Sequence, residues 1–243
     1  MIPWLAAGAP FPPVSAALKR PNGLLTASAP SEVTAARLVQ AYRAGIFPWF
    51  GEGEPALWWS PDPRMVLFVQ EFHLSRSLRK LVRAAAHSAD LDVSTDGAFE
   101  AVMRACAEPR PGQDGTWIGE QMVAAYCALA GEGLAHSIEL HSGGKLLGGL
   151  YGVCLGRMFF GESMFARRAN ASKIALAALV ALLRREGVAM IDCQQSTAHL
   201  ASLGAREIRR SQFLRRLTES VQMDPIDWSI YRGGRLNSLL AEH

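Results

Sequence analysis

The chain has 243 residues, 49% of them hydrophobic and 19% charged, which is the balance of a folded globular protein and excludes disorder for most of its length. The formal net charge of +3 is compatible with a nucleic-acid partner, but it is too small to indicate one without a local basic patch. Four scattered cysteines, a start without a charged n-region and the lack of a long apolar run argue against a disulfide framework, a zinc site, secretion and a membrane span, and they favour the cytoplasm.

The N-terminal quarter is rich in proline, glycine and aromatic residues. Residues 1–30 are expected to cross a surface without regular structure, and Ser31 is predicted to be the N-cap of a helix that ends at Gly45. Residues 47–63 set tryptophans and phenylalanines beside prolines, which fix the backbone while the rings offer large flat surfaces. Such a cluster is more often a domain interface than a ligand platform, and both interpretations stay open.

A basic helix follows. A strand is predicted at residues 65–69 and a helix at residues 75–87. The basic stripe of this helix consists of residues spaced i, i+3, i+4 and i+7: Arg76, Arg79, Lys80 and Arg83. No acidic residue alternates with them to form i,i+4 pairs, so contact with phosphates and a solvated helix face are about equally favoured.

The second half of the chain alternates strands and helices. The predicted elements are helices at 97–107 and 119–130 with a loop at 108–115 between them, strands at 135–140, 145–154 and 157–161, a helix at 172–185 and a strand at 188–193. The sequence Ser142-Gly143-Gly144 predicts a hairpin turn between the first two strands. This order predicts an α+β or mixed α/β fold, with an acetyltransferase-like mixed sheet and a packed helix.

Two carboxylates stand among apolar residues, Glu162 after one predicted strand and Asp192 near the end of another. A buried ionised acid requires a structural partner, a bound cation or a shifted pKa, and the sequence leaves these three open. A shared sheet would bring both acids to one edge, and Gln194 would share a face with Asp192. Neighbouring apolar residues could line a pocket, although such a stripe is more often core: Met164, Leu176, Leu179, Leu183 and Ile191.

Several cofactor motifs are missing from the sequence. It has no phosphate-binding P-loop, no credible G-x-G-x-x-G, no H-E-x-x-H and no G-x-S-x-G elbow. The loop before the apolar helix, residues 166–171, contains no glycine to cradle the pyrophosphate of coenzyme A. An acyl donor other than coenzyme A is therefore favoured, and no cofactor or metal is expected.

The combination of motifs resembles one family. The matching blocks are GIFPW at 45–49, WWSPDPR at 58–64, GTWI at 115–118, AHSIE at 135–139, GGLYG at 148–152, GESMF at 161–165, ASK at 171–173 and IDCQ at 191–194. Together they closely resemble the leucyl/phenylalanyl-tRNA–protein transferase family over roughly residues 23–213.

The resemblance implies a reaction and its partners. Leucine or phenylalanine, with methionine also considered, would pass from leucyl-tRNA or phenylalanyl-tRNA to the α-amine of a protein with N-terminal arginine or lysine, creating an N-end-rule degradation signal. The donor ester is already activated, so no nucleotide triphosphate is needed. The implied domains are a small N-terminal domain at 1–63 and an acetyltransferase-like catalytic domain with a C-terminal tail at 64–243.

The resemblance also implies roles for individual residues. Asp192 would polarise Gln194, which would assist deprotonation of the attacking amine, and Glu162 would hold the donor's amino group. The implied donor side-chain pocket is Leu150, Met164, Leu176, Leu179, Leu183 and Ile191. The implied contacts with the terminal adenosine are Trp49 and Trp117, assisted by Tyr42 and Tyr126, and those with the tRNA backbone are Arg76, Arg79, Lys80, Arg83, Arg167 and Arg168.

This sequence departs from the family pattern at a few positions. Leu179 and Leu183 stand where phenylalanine also occurs in the family, which could change the preference between leucine and phenylalanine, and Ala166 replaces a frequent serine. Two other classes stay open, a coenzyme-A-dependent acetyltransferase and a non-catalytic RNA-binding protein. Spacing does not decide whether Asp192 or Glu162 takes the proton.

Overall fold

The computed structural model describes residues 2–51, 53–109, 116 and 118–243. The N-terminal elements are β1 (Leu24–Ser28), α1 (Ala35–Arg43), β2 (Phe47–Pro48), β3 (Ala56–Trp59), β4 (Arg64–Phe68), α2 (Arg76–Ala86), β5 (Leu91–Thr95) and α3 (Phe99–Ala107). The C-terminal elements are α4 (Glu120–Gly131), β6 (Ala135–Ser142), β7 (Lys145–Leu155), β8 (Met158–Ala166), α5 (Ala171–Arg185), β9 (Met190–Gln194), α6 (Ala198–Ser202), β10 (Arg206–Ile208) and α7 (Arg210–Val221). Most of the predicted 108–115 loop lies outside the described residues.

A mixed sheet forms the centre of the molecule. Its seven strands lie in the order β10-β4-β9-β8-β7-β6-β5, and every neighbouring pair is antiparallel except β8 and β9. Parallel neighbours need a crossover connection, and α5 supplies it because it lies between β8 and β9 in the chain. The predicted α+β class, with a mixed sheet and a packed helix, is confirmed.

The predicted start of the first helix is wrong. Residues 30–32 form a single 3-10 turn, and α1 begins after Thr34, whose Oγ1 accepts a hydrogen bond from Arg37 N at 3.2 Å. Nor are residues 1–30 without regular structure, since β1 pairs with β3 in a three-stranded sheet of order β1-β3-β2. The predicted helix at residues 75–87 is confirmed as α2, and Ser75 is its N-cap, because Ser75 Oγ accepts from Leu78 N at 3.3 Å.

Strand β8 is longer than the sequence pattern predicted. It continues to Ala166, so Glu162 lies within the strand and not at its exit. The expected meeting of the two acids in one sheet is confirmed, because the parallel register places Phe160 opposite Asp192 on the adjacent strand β9. The two acids therefore lie on neighbouring strands in the interior of the sheet.

One hydrophobic core cluster is built around α5, which has eleven buried residues and lies between the sheet and the C-terminal tail. The tail enters this core through Leu236, Leu239 and Leu240, and its Trp228 stacks on His136 with ring centroids 3.9 Å apart. No described helix is long and apolar enough to cross a membrane. The predicted division of the chain at residues 63 and 64 stays a prediction.

Candidate active site

Asp192 is completely buried, and its partner is an arginine. Arg64 Nε donates to Asp192 Oδ1 at 2.8 Å and Arg64 Nη2 donates to Oδ2 at 2.6 Å, a bidentate pair in which both side chains have zero exposure. Two charges are removed from water here, and only close, doubly bonded geometry offsets the cost of that burial. Of the three explanations for a buried acid, Asp192 takes the structural partner.

Arg64 is surrounded on every side. Its Nη1 donates to the carbonyl oxygen of Gly45 at 3.2 Å, and its guanidinium carbon lies 4.7 Å from the ring centroid of Phe47 and 4.6 Å from that of Phe213. The two aromatic rings supply cation–π contacts in a water-free environment, where such contacts are strongest. The sequence reasoning missed Arg64 as a site residue, although it ends the WWSPDPR block and Asp192 needed a cationic partner.

Gln194 links the two acids. Its backbone N–H donates to Asp192 Oδ1 at 3.0 Å, while its side-chain Nε2 donates to Glu162 Oε1 at 2.7 Å. The residue has φ of 58°, in the left-handed region that non-glycine residues seldom adopt and that often marks functional sites. The contact between Gln194 and Asp192 thus runs through the backbone, and the side-chain amide faces Glu162.

Glu162 is held by neutral hydrogen-bond donors. Tyr126 donates to Glu162 Oε2 at 2.9 Å, and the Tyr126 hydroxyl in turn bonds to that of Tyr42. Burial raises the pKa of Glu162 from 4.5 to about 7, with a further increase from the charge of Asp192, while the bonds from the two tyrosines and Gln194 oppose the rise. Close to neutral pH, Glu162 can therefore gain or lose a proton, and it can bind an amine in its ionised form.

The two tyrosines are themselves fully buried. Burial raises the pKa of both phenols well above 10, and the nearby charge of Glu162 adds to the effect, so they remain neutral donors. The Tyr42 ring packs against Phe160 at 4.7 Å between centroids, and that of Tyr126 packs edge-on against Tyr151 at 5.7 Å. A stacking role for these two rings remains a prediction.

The other predicted adenosine contacts are tryptophans. Trp49 is 41% exposed and meets Trp59 edge-on at 5.6 Å between ring centroids, so it has free surface for a partner. Trp117 lies outside the described residues. Stacking of a base on Trp49 also remains a prediction.

The predicted donor pocket residues lie in one hydrophobic core cluster. Leu150 on β7 is directly opposite Met164 on β8, which is partly buried against the cluster. The other members are buried within it: Leu176, Leu179, Leu183 and Ile191. The residues of the predicted pocket are therefore close to one another in the fold. Contact between these residues and a donor side chain remains a prediction.

The predicted tRNA-contacting residues differ in their surroundings. All four members of the basic stripe are exposed on α2, and within the described part of the chain none of them forms a salt bridge. Arg167 is also exposed but pairs with Glu108, and Arg168 is exposed beside it. Among the described residues, no group of three or more His, Cys, Asp or Glu side chains could hold a metal ion.

Comparison with known proteins identifies the family. A family model described as leucyl/phenylalanyl-tRNA protein transferase matches residues 66–218, and the model of its N-terminal domain matches residues 31–62. A leucyl/phenylalanyl-tRNA–protein transferase of Chromobacterium violaceum is 57% identical over 91% of this chain and 93% of its own length. One of Bordetella bronchiseptica is 55% identical over 98% of this chain and 93% of its own length.

One solved structure that matches this chain is a distant relative. A structure titled as that of L-PGS from Bacillus licheniformis is 10% identical with a TM-score of 0.37, and the match covers 67% of this chain and 51% of that one. The sequence relatives and the two family models carry the assignment. The chain belongs to the leucyl/phenylalanyl-tRNA–protein transferase family, a family of aminoacyltransferases.

Proposed function

We propose that this enzyme transfers leucine or phenylalanine, with methionine as a further donor residue, from aminoacyl-tRNA to the α-amine of proteins that begin with arginine or lysine. The product would carry an N-end-rule degradation signal. The observation that carries the proposal is the network in which Gln194 bridges Asp192 and Glu162 beside an apolar cluster. We expect the reaction in the cytoplasm, where aminoacyl-tRNA serves translation.

The donor amino acid would be recognised through its side chain and through its amino group. Its apolar side chain would enter the cluster formed by Leu150, Met164, Ile191 and the leucines of α5, and burial of that side chain would supply much of the binding energy. Its amino group would bind the Glu162 carboxylate, which the Tyr126 and Gln194 donors hold in place. The terminal adenosine would stack on Trp49 and Trp117, and the basic stripe with Arg167 and Arg168 would follow the tRNA phosphates.

The chemical step needs little acid or base strength. The acceptor nitrogen attacks the ester carbonyl carbon, the bond from that carbon to the ribose oxygen breaks, and the proton lost by the amine passes to the departing tRNA hydroxyl. A free α-amine has a pKa of about 7.7 to 8, so a large fraction is already neutral near pH 7.5. Gln194 would orient this amine, and Asp192 would fix Gln194 through its backbone N–H.

A labelled-donor assay tests the proposal. Radiolabelled leucyl-tRNA is incubated with the enzyme and a reporter peptide that begins with arginine, and a twin peptide that begins with alanine is the matched control. We expect label on the arginine peptide alone. Equal labelling of both peptides, or of neither, contradicts the proposed specificity.

Two further arms separate the alternative classes. Addition of acetyl-coenzyme A in place of charged tRNA should leave both peptides unmodified, whereas acetylation would identify a coenzyme-A-dependent enzyme. A Gln194→Ala variant should bind leucyl-tRNA but lose transfer. Binding with full transfer by this variant would exclude the assigned role of Gln194, and binding without any transfer by the unmodified enzyme would indicate an RNA-binding protein.

A further inference from the structure

We propose that Arg64 is a positioning residue for the transfer reaction: it fixes the Asp192 carboxylate, and through it the Gln194 backbone, so that the Gln194 amide stays directed at Glu162. This inference rests on the proposed function and deepens it. Arg64 touches neither donor nor acceptor in this assignment, and it acts only through Asp192 and Gln194.

The guanidinium of Arg64 is held in one position. Each guanidinium nitrogen has an acceptor, because Nε and Nη2 bond to Asp192 and Nη1 bonds to the Gly45 carbonyl. The rings of Phe47 and Phe213 also pack against it, with their centroids 4.7 and 4.6 Å from the guanidinium carbon. A planar group that is bonded along its edges and packed against two rings cannot rotate without breaking several contacts at once.

Asp192 connects the rigid Arg64 side chain to Gln194. Asp192 Oδ1 accepts two hydrogen bonds, from Arg64 Nε at 2.8 Å and from Gln194 N at 3.0 Å. The left-handed backbone of Gln194 is strained for a residue with a Cβ, so its neighbours must hold it. The pairing of β4 with β9 is irregular between Met65 and Val66, which follow Arg64 directly. Met65 pairs with Gln194 and Val66 pairs with Asp192, so this irregularity lies opposite the left-handed backbone of Gln194.

Arg64 with Gly45, Phe47 and Phe213 forms a group of residues that we call the clamp. Gly45 has φ of +73°, a left-handed conformation that favours glycine, and a Cβ there would displace the Leu214 methyl carbon, which would lie 2.6 Å away, so the end of α1 lies close against α7. The clamp thus joins α1, β2 and α7 to strands β4 and β9. A shift of any of these elements would reach Gln194 through the Arg64–Asp192 pair.

Steady-state kinetics of Arg64→Lys test the proposal, with Arg37→Lys as the matched control. Arg37 is also a buried arginine, lies 4.0 Å from the Phe11 ring centroid and donates to the Ala9 carbonyl, but it bonds to neither site acid. All assays are run well below the melting temperature of each variant. We expect Arg64→Lys to lose on the order of 10- to 100-fold in kcat with the KM for leucyl-tRNA within about twofold of the unmodified enzyme. Arg37→Lys should lose only thermal stability.

A double variant distinguishes positioning from general stability. If Arg64 acts through Gln194, the Arg64→Lys/Gln194→Ala enzyme should be no slower than Gln194→Ala alone, within about twofold. Multiplying losses would overturn the proposal, as would a kcat of Arg64→Lys equal to that of Arg37→Lys. If Arg64→Lys does not fold, Asp192→Asn is combined with Gln194→Ala instead. That double variant must then also be no slower than Gln194→Ala alone, within about twofold.

An NMR titration of the Glu162 carboxyl carbon supplies a readout that is independent of transfer. The Gln194 amide stabilises the ionised form, so its displacement in Arg64→Lys should raise the pKa of Glu162, as it should in Gln194→Ala. An unchanged pKa in Arg64→Lys overturns this proposal. Failure of the proposed function is recognised separately, because the unmodified enzyme would then transfer nothing while the titration still reports the link from Arg64 to Gln194.

Discussion

The amide Nε2 of Gln194 lies 2.7 Å from Oε1 of Glu162, so Gln194 donates its side-chain hydrogen bond to the acid whose pKa is near neutrality. Within the part of the chain that the structure describes, the side chain of the other acid, Asp192, accepts one bond from the backbone N–H of Gln194 and two from Arg64. We therefore propose that the acids have different tasks, in which Asp192 fixes geometry and Glu162, with a pKa of about 7, changes its charge near neutral pH.

The pH dependence of donor binding follows from the Glu162 pKa of about 7. If the ionised carboxylate holds the donor's ammonium group, protonation of Glu162 below that pH should raise the KM for leucyl-tRNA without adding a change of its own to kcat. Glu162→Gln should show a high KM that no longer varies between about pH 6 and pH 8. Initial rates at saturating and limiting leucyl-tRNA measure the two constants.

The acceptor provides an internal control for this experiment. Its α-amine must be neutral to attack, so kcat should rise with pH in both enzymes up to about pH 8. The kcat of the unmodified enzyme could show a further change near pH 7 that is absent from the kcat of Glu162→Gln. In that case Glu162 takes the proton and does not merely hold the donor.

The same raised pKa predicts how the stability of the fold depends on pH. A carboxyl with a pKa of about 7 when folded and 4.5 otherwise binds its proton more tightly in the folded state. The free energy of unfolding should therefore fall as pH rises from 4.5 to about 7, by about 1 to 3 kcal/mol from this group. Glu162→Gln should lose this dependence and be the more stable protein above pH 7, as measured by urea unfolding at several pH values. Glu207→Gln at the surface is the control and should keep the slope of the unmodified enzyme.

Removal of one member of the buried ion pair should be costly for the fold. Asp192→Ala leaves the Arg64 charge buried without its partner, and we expect a loss of about 3 to 5 kcal/mol in the free energy of unfolding. An apolar replacement of both partners, Arg64→Met with Asp192→Leu, should recover most of that loss and remain inactive. Urea unfolding measures both, and Glu71→Ala, which breaks an exposed pair with Arg206, should unfold like the unmodified enzyme. Recovery of activity in the apolar double variant would contradict the role given to the pair.

Sequence patterns predicted the elements with long periodic segments and missed contacts between distant segments. The helix predicted at residues 172–185 and the strand predicted after it agree with α5 and β9 to within a few residues, because apolar periodicity sets them locally. Arg64 and Asp192 are 128 positions apart, and their contact depends on the pairing of β4 with β9, which no local pattern encodes. Ser31 and Thr34 are both good N-caps by type, and the 3-10 turn at residues 30–32 decides between them.

The site residues divide in the same way. The acids and Gln194 stand in short, unusual blocks, so the sequence could draw attention to them. The direction of the Gln194 side chain could not be predicted, because strand alternation would place it with Asp192, whereas the left-handed backbone turns it to Glu162. Residue type and spacing therefore indicated which residues meet, and backbone conformation determined how.

Charge reversal of the basic stripe tests the tRNA-binding assignment. Arg76→Glu, Arg79→Glu and Arg83→Glu together should raise the KM for leucyl-tRNA and reduce the salt dependence of binding, by about 0.7 to 0.9 in the log–log slope for each phosphate that the stripe no longer neutralises. The control reverses three exposed arginines elsewhere, Arg209, Arg215 and Arg232, with the same change in net charge. Equal KM values in the two triple variants would show that the stripe attracts tRNA only through overall charge, and an unchanged KM would exclude it.

Two leucines of α5, three positions apart, can separate donor selection from core packing. Leu179 belongs to the predicted donor pocket and Leu182 does not, yet both are buried in the same core. Each leucine-to-alanine change should lower the free energy of unfolding by about 2 to 5 kcal/mol through the cavity it leaves. Only Leu179→Ala should also enlarge the donor pocket, so the ratio of kcat/KM for phenylalanyl-tRNA over leucyl-tRNA should rise roughly 10-fold or more, within the range that one or two methylene groups confer on an apolar pocket. A mixture of the two charged tRNAs with different labels gives that ratio directly, and the same ratio in both variants would remove Leu179 from the pocket.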